Sequence, residues 1–416
     1  MTSPIRITVR AIAAGGAGVA DLPDGRVVFV PRTAPGDRAS IRIVKSRPRW
    51  AEGALAHLDE PSDERTAPLC ALYDRCGGCQ LQHLPYAQQL VWKGRIVADA
   101  LTRIGHLQDV QPPEVTPSPR ETEYRNRVAF TLRRLRGGHV VAGFHALGRP
   151  AHVIDVRDEC VLPRPELRAA WKALRAGWGL GARLLPTAGR LRLTLRETSD
   201  GVALVVDGGE DSWSASELAE AVPQLVAIWH RSGATTSEPR LLEGSFDRGG
   251  TAFEQVNVEV ASMLQEHVTE VAGTGTRAVD AYCGAGVYGR GLAGRGWTVT
   301  GIERDPAACE QAARGAPASF SVLQGTVDTQ LPKALPADLL ILNPPRTGLD
   351  ADTVRVVAGG EAGRIVYVSC DPATLARDVA ALADRYEVGD VRCFDLFPQT
   401  AHVETVLVMT VREAAP

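Results

Sequence analysis

Four groups of residues have the types and spacing to do chemistry. Cys370 lies in RIVYVSCDPATLARD (364–378), where a β-branched apolar run ends and Asp371-Pro372 reads as a helix N-cap and first turn. A thiol at a strand's carboxyl end, beside a helix N-terminus, is placed to become a nucleophilic thiolate. Structural cysteines lie inside strands instead. Glu404 opens the last apolar run, HVETVLVM, as a partner acid for proton transfer. In DAYCGAGVYGRGL (280–292), Gly284, Gly286 and Gly289 follow a buried run and open a helix, which lets backbone approach a ligand closely. The next strand ends in Glu303, an acceptor for ribose hydroxyls. That pair of features fits a dinucleotide or S-adenosyl-L-methionine equally. The fourth group is Cys70, Cys76 and Cys79, spaced C-x5-C-x2-C, with Cys160 as a remote fourth thiol. Three clustered thiols plus one suit a four-iron cluster or tetrahedral zinc. Cys283, Cys309 and Cys393 read as packing thiols.

LILNPPRTGL (340–349) tilts the ligand toward a methyl donor. Asn343-Pro344-Pro345 ends a strand in a rigid turn that holds a polar group over the pocket. A dehydrogenase has no use for that element, whereas a methyltransferase needs a target held beside the donor.

The elements that must position these groups follow from periodicity. Residues 1–60 hold short alternating runs split by Gly and Asp-Gly breaks, the pattern of a small barrel. A helix is expected over roughly 84–104, and PPEVTPSPR (112–120) reads as a Pro-rich linker. Residues 121–235 alternate again, as an antiparallel sheet with helices near 164–178 and 215–222. From about 254, strands alternate with helices, the rhythm of a parallel doubly wound sheet. Its strands are RAVDAYC, WTVTGIE, ADLLILN and RIVYVSC, followed by an antiparallel edge hairpin of DVRCFDLF and VETVLVMTV.

Composition bounds the rest. The chain has 416 residues, 44% hydrophobic and 23% charged, so it is ordinary globular protein of several domains. No run of about 18 apolar residues without a charge occurs, and no membrane association is expected. MTSPIRITVR shows no apolar signal core, so a reducing cytoplasm is expected, and with it eight cysteines that are not disulfides. A net charge of −3 gives no global field for nucleic acid. Local positive charge gathers at Arg42, Lys45, Arg47 and Arg49 beside Trp50, and again at Arg120, Arg125, Arg127, Arg133, Arg134 and Arg136, where phosphates could be held.

Together FEQVN (253–257), DAYCGAGVYG, Glu303, NPPRTGL, YVSCDPATLARD and HVETV resemble the RNA uracil-5-methyltransferase family in order and spacing. The first domain resembles a TRAM domain, and YRNRVAF (124–130) resembles the family's middle, so the likeness covers essentially the whole chain. It implies an α/β fold: a Rossmann-like class I methyltransferase domain, an N-terminal OB-like TRAM barrel, and a central α+β domain carrying an iron–sulfur cluster. The implied division is 1–60 for the barrel, 61–83 with 116–250 for the centre, and 84–115 with 251–416 for the methyltransferase. In this likeness Cys370 adds to uracil C6 and Glu404 is the general base. Gln255, Tyr282, Glu303 and Asn343 line the cofactor and target site, with Gly284, Gly286 and Val287 contributing backbone. Cys70, Cys76, Cys79 and Cys160 carry a 4Fe–4S cluster rather than zinc, in a structural or RNA-facing role. The implied partner is RNA, 23S ribosomal RNA ahead of transfer RNA, and the implied state is a monomer. Two positions depart from the family: Asn343 replaces an Asp, and Val287 replaces a polar residue. An amino-group methyltransferase shares Asn-Pro-Pro but follows it with a stacking aromatic, where this chain has Arg346. A non-catalytic zinc-containing RNA-binding protein would not need Cys370 and Glu404.

Overall fold

A computed structural model describes residues 4–210, 213–233, 239–245 and 255–412. Phe253 and Glu254 of FEQVN, and the expected border at 250–251, lie outside the described residues. The first strands are β1 (Ile5–Ile12), β2 (Gly18–Asp21), β3 (Val27–Val30), β4 (Arg38–Ser46) and β5 (Trp50–Glu60). They close into a barrel in the order β1-β2-β3-β5-β4. Alternation turns Ile7, Val9, Val28, Val30 and Ile41 inward, and leaves Arg42, Lys45, Arg47 and Arg49 exposed.

A cysteine-bearing loop leads to α1 (Tyr86–Arg103) and a short strand, β6 (Val115–Thr116). The middle of the chain forms β7 (Arg127–Arg134), β8 (Val140–Ala146), β9 (Arg149–Asp155), α2 (Pro165–Gly177), β10 (Arg190–Thr198), β11 (Gly201–Asp207), α3 (Ser216–Ala221), β12 (Leu225–Arg231) and β13 (Arg240–Gly244). Its sheet runs β13-β12-β11-β10-β7-β8-β9. Helix α2 lays Leu167, Trp171 and Leu174 on this sheet, with the Trp171 ring stacked 3.9 Å from Phe130. The sheet is not wholly antiparallel, as expected from the alternation: β11 and β12 are parallel, because α3 crosses between them.

The basic stretch 120–136 also differs from expectation. Arg134 turns back on its own domain and donates to the carbonyls of Gly181, Ala182, Leu185, Pro186 and Ala188. Arg133 donates to Ala151, and Arg125 faces the thiols described below. Arg125 and Arg134 are therefore turned into the fold rather than onto an open phosphate surface, while Arg133 stays exposed.

The last part comprises α4 (Val258–Glu270), β14 (Arg277–Ala281), α5 (Val287–Ala293), β15 (Thr298–Glu303), α6 (Pro306–Ala313), β16 (Phe320–Gln324), α7 (Val327–Ala334), β17 (Ala337–Leu342), α8 (Ala351–Ala358), β18 (Ala362–Ser369), α9 (Pro372–Leu382), β19 (Tyr386–Phe394) and β20 (Glu404–Val411). The sheet order is β16-β15-β14-β17-β18-β20-β19-β6, a Rossmann-like arrangement. Strands β14 to β18 are parallel, and β20 enters antiparallel between β18 and β19. Central strands β17 and β18 are covered on both faces, so Leu339–Leu342 and Ile365–Val368 are all buried. Two strands of this sheet were not foreseen. β16 is a half-exposed edge with a weak apolar signal. β6 arises inside the Pro-rich linker, where Val115 pairs with Cys393 and extends the sheet beyond β19. Flanking prolines hide so short a strand. Among the described residues, no helix is long and apolar enough to cross a membrane.

Candidate active site

Strands β14, β15, β17 and β18 end at one edge of the sheet, the usual ligand edge of an open α/β fold. Because β20 runs the other way, it begins there. Ser369 pairs with Thr405, so Cys370 and Glu404 are the next facing positions across the two strands. Glu404 is buried at 7% exposure, and burial raises its carboxyl to about 7 despite the opposing pull of Arg346. No hydrogen bond to that carboxylate is formed among the described residues.

Cys370 departs from expectation. Its thiol lies above the ordinary range, first through burial and then through the Glu404 charge. The helix N-terminus beside it offers little help. Asp371 caps α9 by accepting the N–H groups of Ala373 and Thr374 at 3.0 and 2.9 Å, which puts a carboxylate next to the sulfur. The guanidinium of Arg346, in the turn after β17, works in the opposite sense on both Cys370 and Glu404. Arg346 is the site residue that sequence reasoning passed over: it registered only as a missing aromatic. A cation just after a rigid Pro-Pro turn was the available signal.

The glycine-rich turn borders the same edge. Gly284 adopts a left-handed φ of +53°, and a Cβ there would project into open space. Gly286, at φ +77°, caps α5, and a Cβ would come within 3.0 Å of Phe320. Tyr282, preceding them, holds φ +60°, a conformation non-glycine residues rarely adopt. Glu303 accepts the Gly284 N–H at 3.0 Å, and those of Arg304 and Asp305 at 2.7 and 2.8 Å, so its carboxylate is fixed at the lip. Asn343 donates its backbone N–H to Ala281 at 3.3 Å, which locks the Pro-Pro turn to the end of β14. Val287 starts α5 half exposed. The result is a cradle open above glycine and edged by one rigid acid, which fits a ribose-bearing ligand. Beneath it Asp280 is fully buried, accepts the Gly289 N–H at 2.8 Å, and is raised to about 7 by burial. Gln255 is held differently: its carbonyl accepts from Asn126 at 3.1 Å, and its side chain makes no hydrogen bond to these residues among those described.

The remote thiols line a separate cavity of about 110 Å³, whose wall includes Cys70, Cys76, Cys79 and Cys160. The backbone draws them in: Gly77 donates to His145 at 2.9 Å, and Cys76 bridges to Ala146 of β8. Burial pushes Cys79 up to about 11 and Cys160 to about 12, and each is raised further by neighbouring thiols. Arg125 counters both. Burial thus favours the neutral S–H form of these thiols, with Arg125 as the nearby cation. Among the described residues, no group of three or more His, Cys, Asp or Glu side chains is arranged to hold a metal ion, so the expected metal site is not seen as such.

Comparison with known proteins bears on the whole chain. Residues 318–412 match the tRNA (Uracil-5-)-methyltransferase family model, and residues 3–56 match the TRAM domain. A Thermosynechococcus vestitus protein, named an uncharacterized RNA methyltransferase, is 33% identical over 98% of each chain. One from Nitratidesulfovibrio vulgaris is 31% identical over 98% of this chain and 96% of its own. The crystal structure of Pyrococcus abyssi tRNA (uracil-54, C5)-methyltransferase, in complex with S-adenosyl-L-homocysteine, superposes with a TM-score of 0.73 at 25% identity, covering 98% of this chain and 100% of that one. With a TRAM barrel, a Rossmann-like sheet and relatives matched nearly end to end, the chain belongs to the RNA uracil-5-methyltransferase family.

Proposed function

We propose that this enzyme methylates C5 of a uridine in RNA, using S-adenosyl-L-methionine and a covalent bond between Cys370 and C6 of the base. The observation that carries this reading is the facing of Cys370 and Glu404 across β18 and β20, with Arg346 beside both. Uracil C5 is a poor nucleophile. The Cys370 thiolate, favoured by Arg346, adds to C6, and the displaced electron pair makes C5 an enolate carbon. C5 then takes the methyl group as the donor's sulfur–methyl bond breaks. Glu404 accepts the proton left on C5; the freed pair re-forms the C5–C6 double bond and expels the Cys370 sulfur. The donor supplies a methyl group on a positively charged sulfur. Glu303, Tyr282, the Gly284–Gly286 turn with the Val287 backbone, Asn343 and Gln255 would hold it and the target base. The base leaves its stack to reach this edge.

A protein–RNA adduct tests the mechanism. With RNA containing 5-fluorouridine, C5 carries no removable proton, so a Cys370 adduct should persist and be seen by mass spectrometry. Cys370→Ala should abolish it. An adduct that survives Cys370→Ala, or none with a verified substrate, overturns the proposal.

Cys70, Cys76, Cys79 and Cys160 are assigned to a 4Fe–4S cluster. Support comes from the four thiols lining one cavity, with Arg125 as counter-charge. Methyl transfer moves no net electrons, so the cluster's place here is structural. Anaerobic purification should give brown, iron-containing protein, and Cys76→Ser should lose the colour. Stoichiometric zinc would reverse the assignment. For the RNA, 23S ribosomal RNA is favoured. The archaeal neighbour is named for tRNA, so methylation of unmodified 23S RNA and tRNA, side by side, decides between them.

A further inference from the structure

The loop 395–403 delivers Glu404 to the active site. Helix α1 anchors it through Lys93, paired with Asp395 and donating to the Phe397 carbonyl, and through Gln89, bonded to Gln399; Tyr124 donates to the Pro398 carbonyl, and the thiol loop adds the contacts nearest Glu404, at Gln399 and Ala401. The Gln399 carbonyl accepts from the backbone N–H groups of both Gln80 and Leu81 at 3.1 Å. Ala401 donates its N–H to Gln80 Oε1 at 3.3 Å. Gln80 Nε2 donates to the Gly77 carbonyl at 2.8 Å, which orients that amide. Gln399 sits at φ +70°, a conformation a non-glycine residue keeps only when its surroundings impose it.

The barrel is fastened to the same place. Arg32, at the end of β3, is 8% exposed and donates to the carbonyls of Tyr73, Cys76 and Cys79 at 2.6, 2.7 and 2.7 Å. Its guanidinium lies 3.6 Å over the Tyr73 ring. The β1–β2 turn presses in as well: a Cβ on Gly16 would stand 2.5 Å from Gln80 Cβ and 3.1 Å from Ala401 Cβ. The barrel, the thiol loop and the path to Glu404 thus meet within one set of contacts. Glu404 has no hydrogen bond to its own carboxylate among the described residues, so backbone placement decides where it stands.

We propose that Gln80 is a positioning residue for Glu404, setting the loop that carries the carboxylate, and that Arg32 ties this setting to the seat of the barrel. The proposal rests on Glu404 being the base that releases the Cys370 adduct. A displaced base should stop the reaction after methyl transfer, with C5 methylated and Cys370 still bound to C6. General damage to the fold would slow turnover without accumulating that species.

The test uses full-length protein and natural uridine RNA. Gln80→Leu should lower turnover at least about tenfold, the scale of a misplaced base, with KM for S-adenosyl-L-methionine held within about twofold. It should also accumulate a covalent adduct that wild type does not. In RNA-free protein, hydrogen exchange at the Ala401 amide should be faster in Gln80→Leu. Turnover lost with no adduct, or exchange unchanged, overturns the proposal. Should Gln80→Leu fail to fold, Arg32→Lys must give the same adduct, and its absence overturns the proposal equally. If wild type forms no adduct with 5-fluorouridine RNA, the Cys370 mechanism fails instead, and exchange at Ala401 still judges the positioning.

Discussion

Glu404 has to be charged to act and is buried where charge is disfavoured. Burial holds its carboxyl at about 7, above the ordinary 4.5 of a glutamate. The expected consequence for rate is a fall of about tenfold per pH unit below about 7, wherever release of the adduct limits turnover. Stability moves the other way. The folded state holds this proton more tightly than the unfolded chain, so the protein loses stability as pH rises from about 4.5 to about 7. The loss is on the order of 3 kcal/mol. Glu404→Gln should therefore unfold at a higher temperature than wild type at pH 8, with the gain vanishing near pH 4. It should also trap a methylated adduct on natural uridine RNA. A variant that is no more stable at pH 8 would mean the carboxylate is better solvated than its burial implies. Asp280, raised to about 7 by the same burial, adds a second contribution of the same sign.

At the scale of elements, α9 sets the charge beside the nucleophile. Asp371 caps it with two hydrogen bonds, and its charge opposes the thiolate. Asn caps nearly as well as Asp and carries no charge. Asp371→Asn should therefore leave thermal stability almost unchanged and move the pH midpoint of Cys370 alkylation downward. A midpoint that stays put would remove Asp371 from the electrostatics of the site. This balance was only half legible in the sequence. Strand end, Asp-Pro cap and thiol were readable because each is local, and the Gly-rich turn was readable for the same reason. Arg346 was not, since its effect on Cys370 and Glu404 needs three separate segments brought to one sheet edge. Arg125 and Arg134 were misread as surface cations, because alternation along β7 does not say which faces meet a cavity or a ring of carbonyls. β6 escaped notice because its stability comes from the edge of β19 rather than from its own residues.

Across the whole molecule, loss of those internal arginines from the RNA-facing set leaves the barrel as the better-supported contact. The hairpin joining β4 and β5 presents Arg42, Lys45, Arg47 and Arg49, all exposed. Arg26 braces it by donating to Ser46 Oγ at 2.6 Å and the Arg47 carbonyl at 3.2 Å. Trp50 is half-buried, edge-on to Phe29, with Lys45 Nζ 5.1 Å from its ring centre. A rigid hairpin with cations around an aromatic suits single-stranded RNA, where phosphates and base faces are read together. The chain's net charge of −3 makes this local concentration more consequential, because the total supplies no long-range attraction. Replacing Arg42, Arg47 and Arg49 by Glu should weaken RNA binding and flatten its salt dependence by roughly 0.7 in log–log slope per lost phosphate contact. The side chains point away from the barrel core, so thermal stability should hold. KM for RNA should rise while the rate of 5-fluorouridine adduct formation at saturating RNA stays near wild type. Unchanged affinity and salt slope would move the RNA interface off the barrel, whatever its fold resembles.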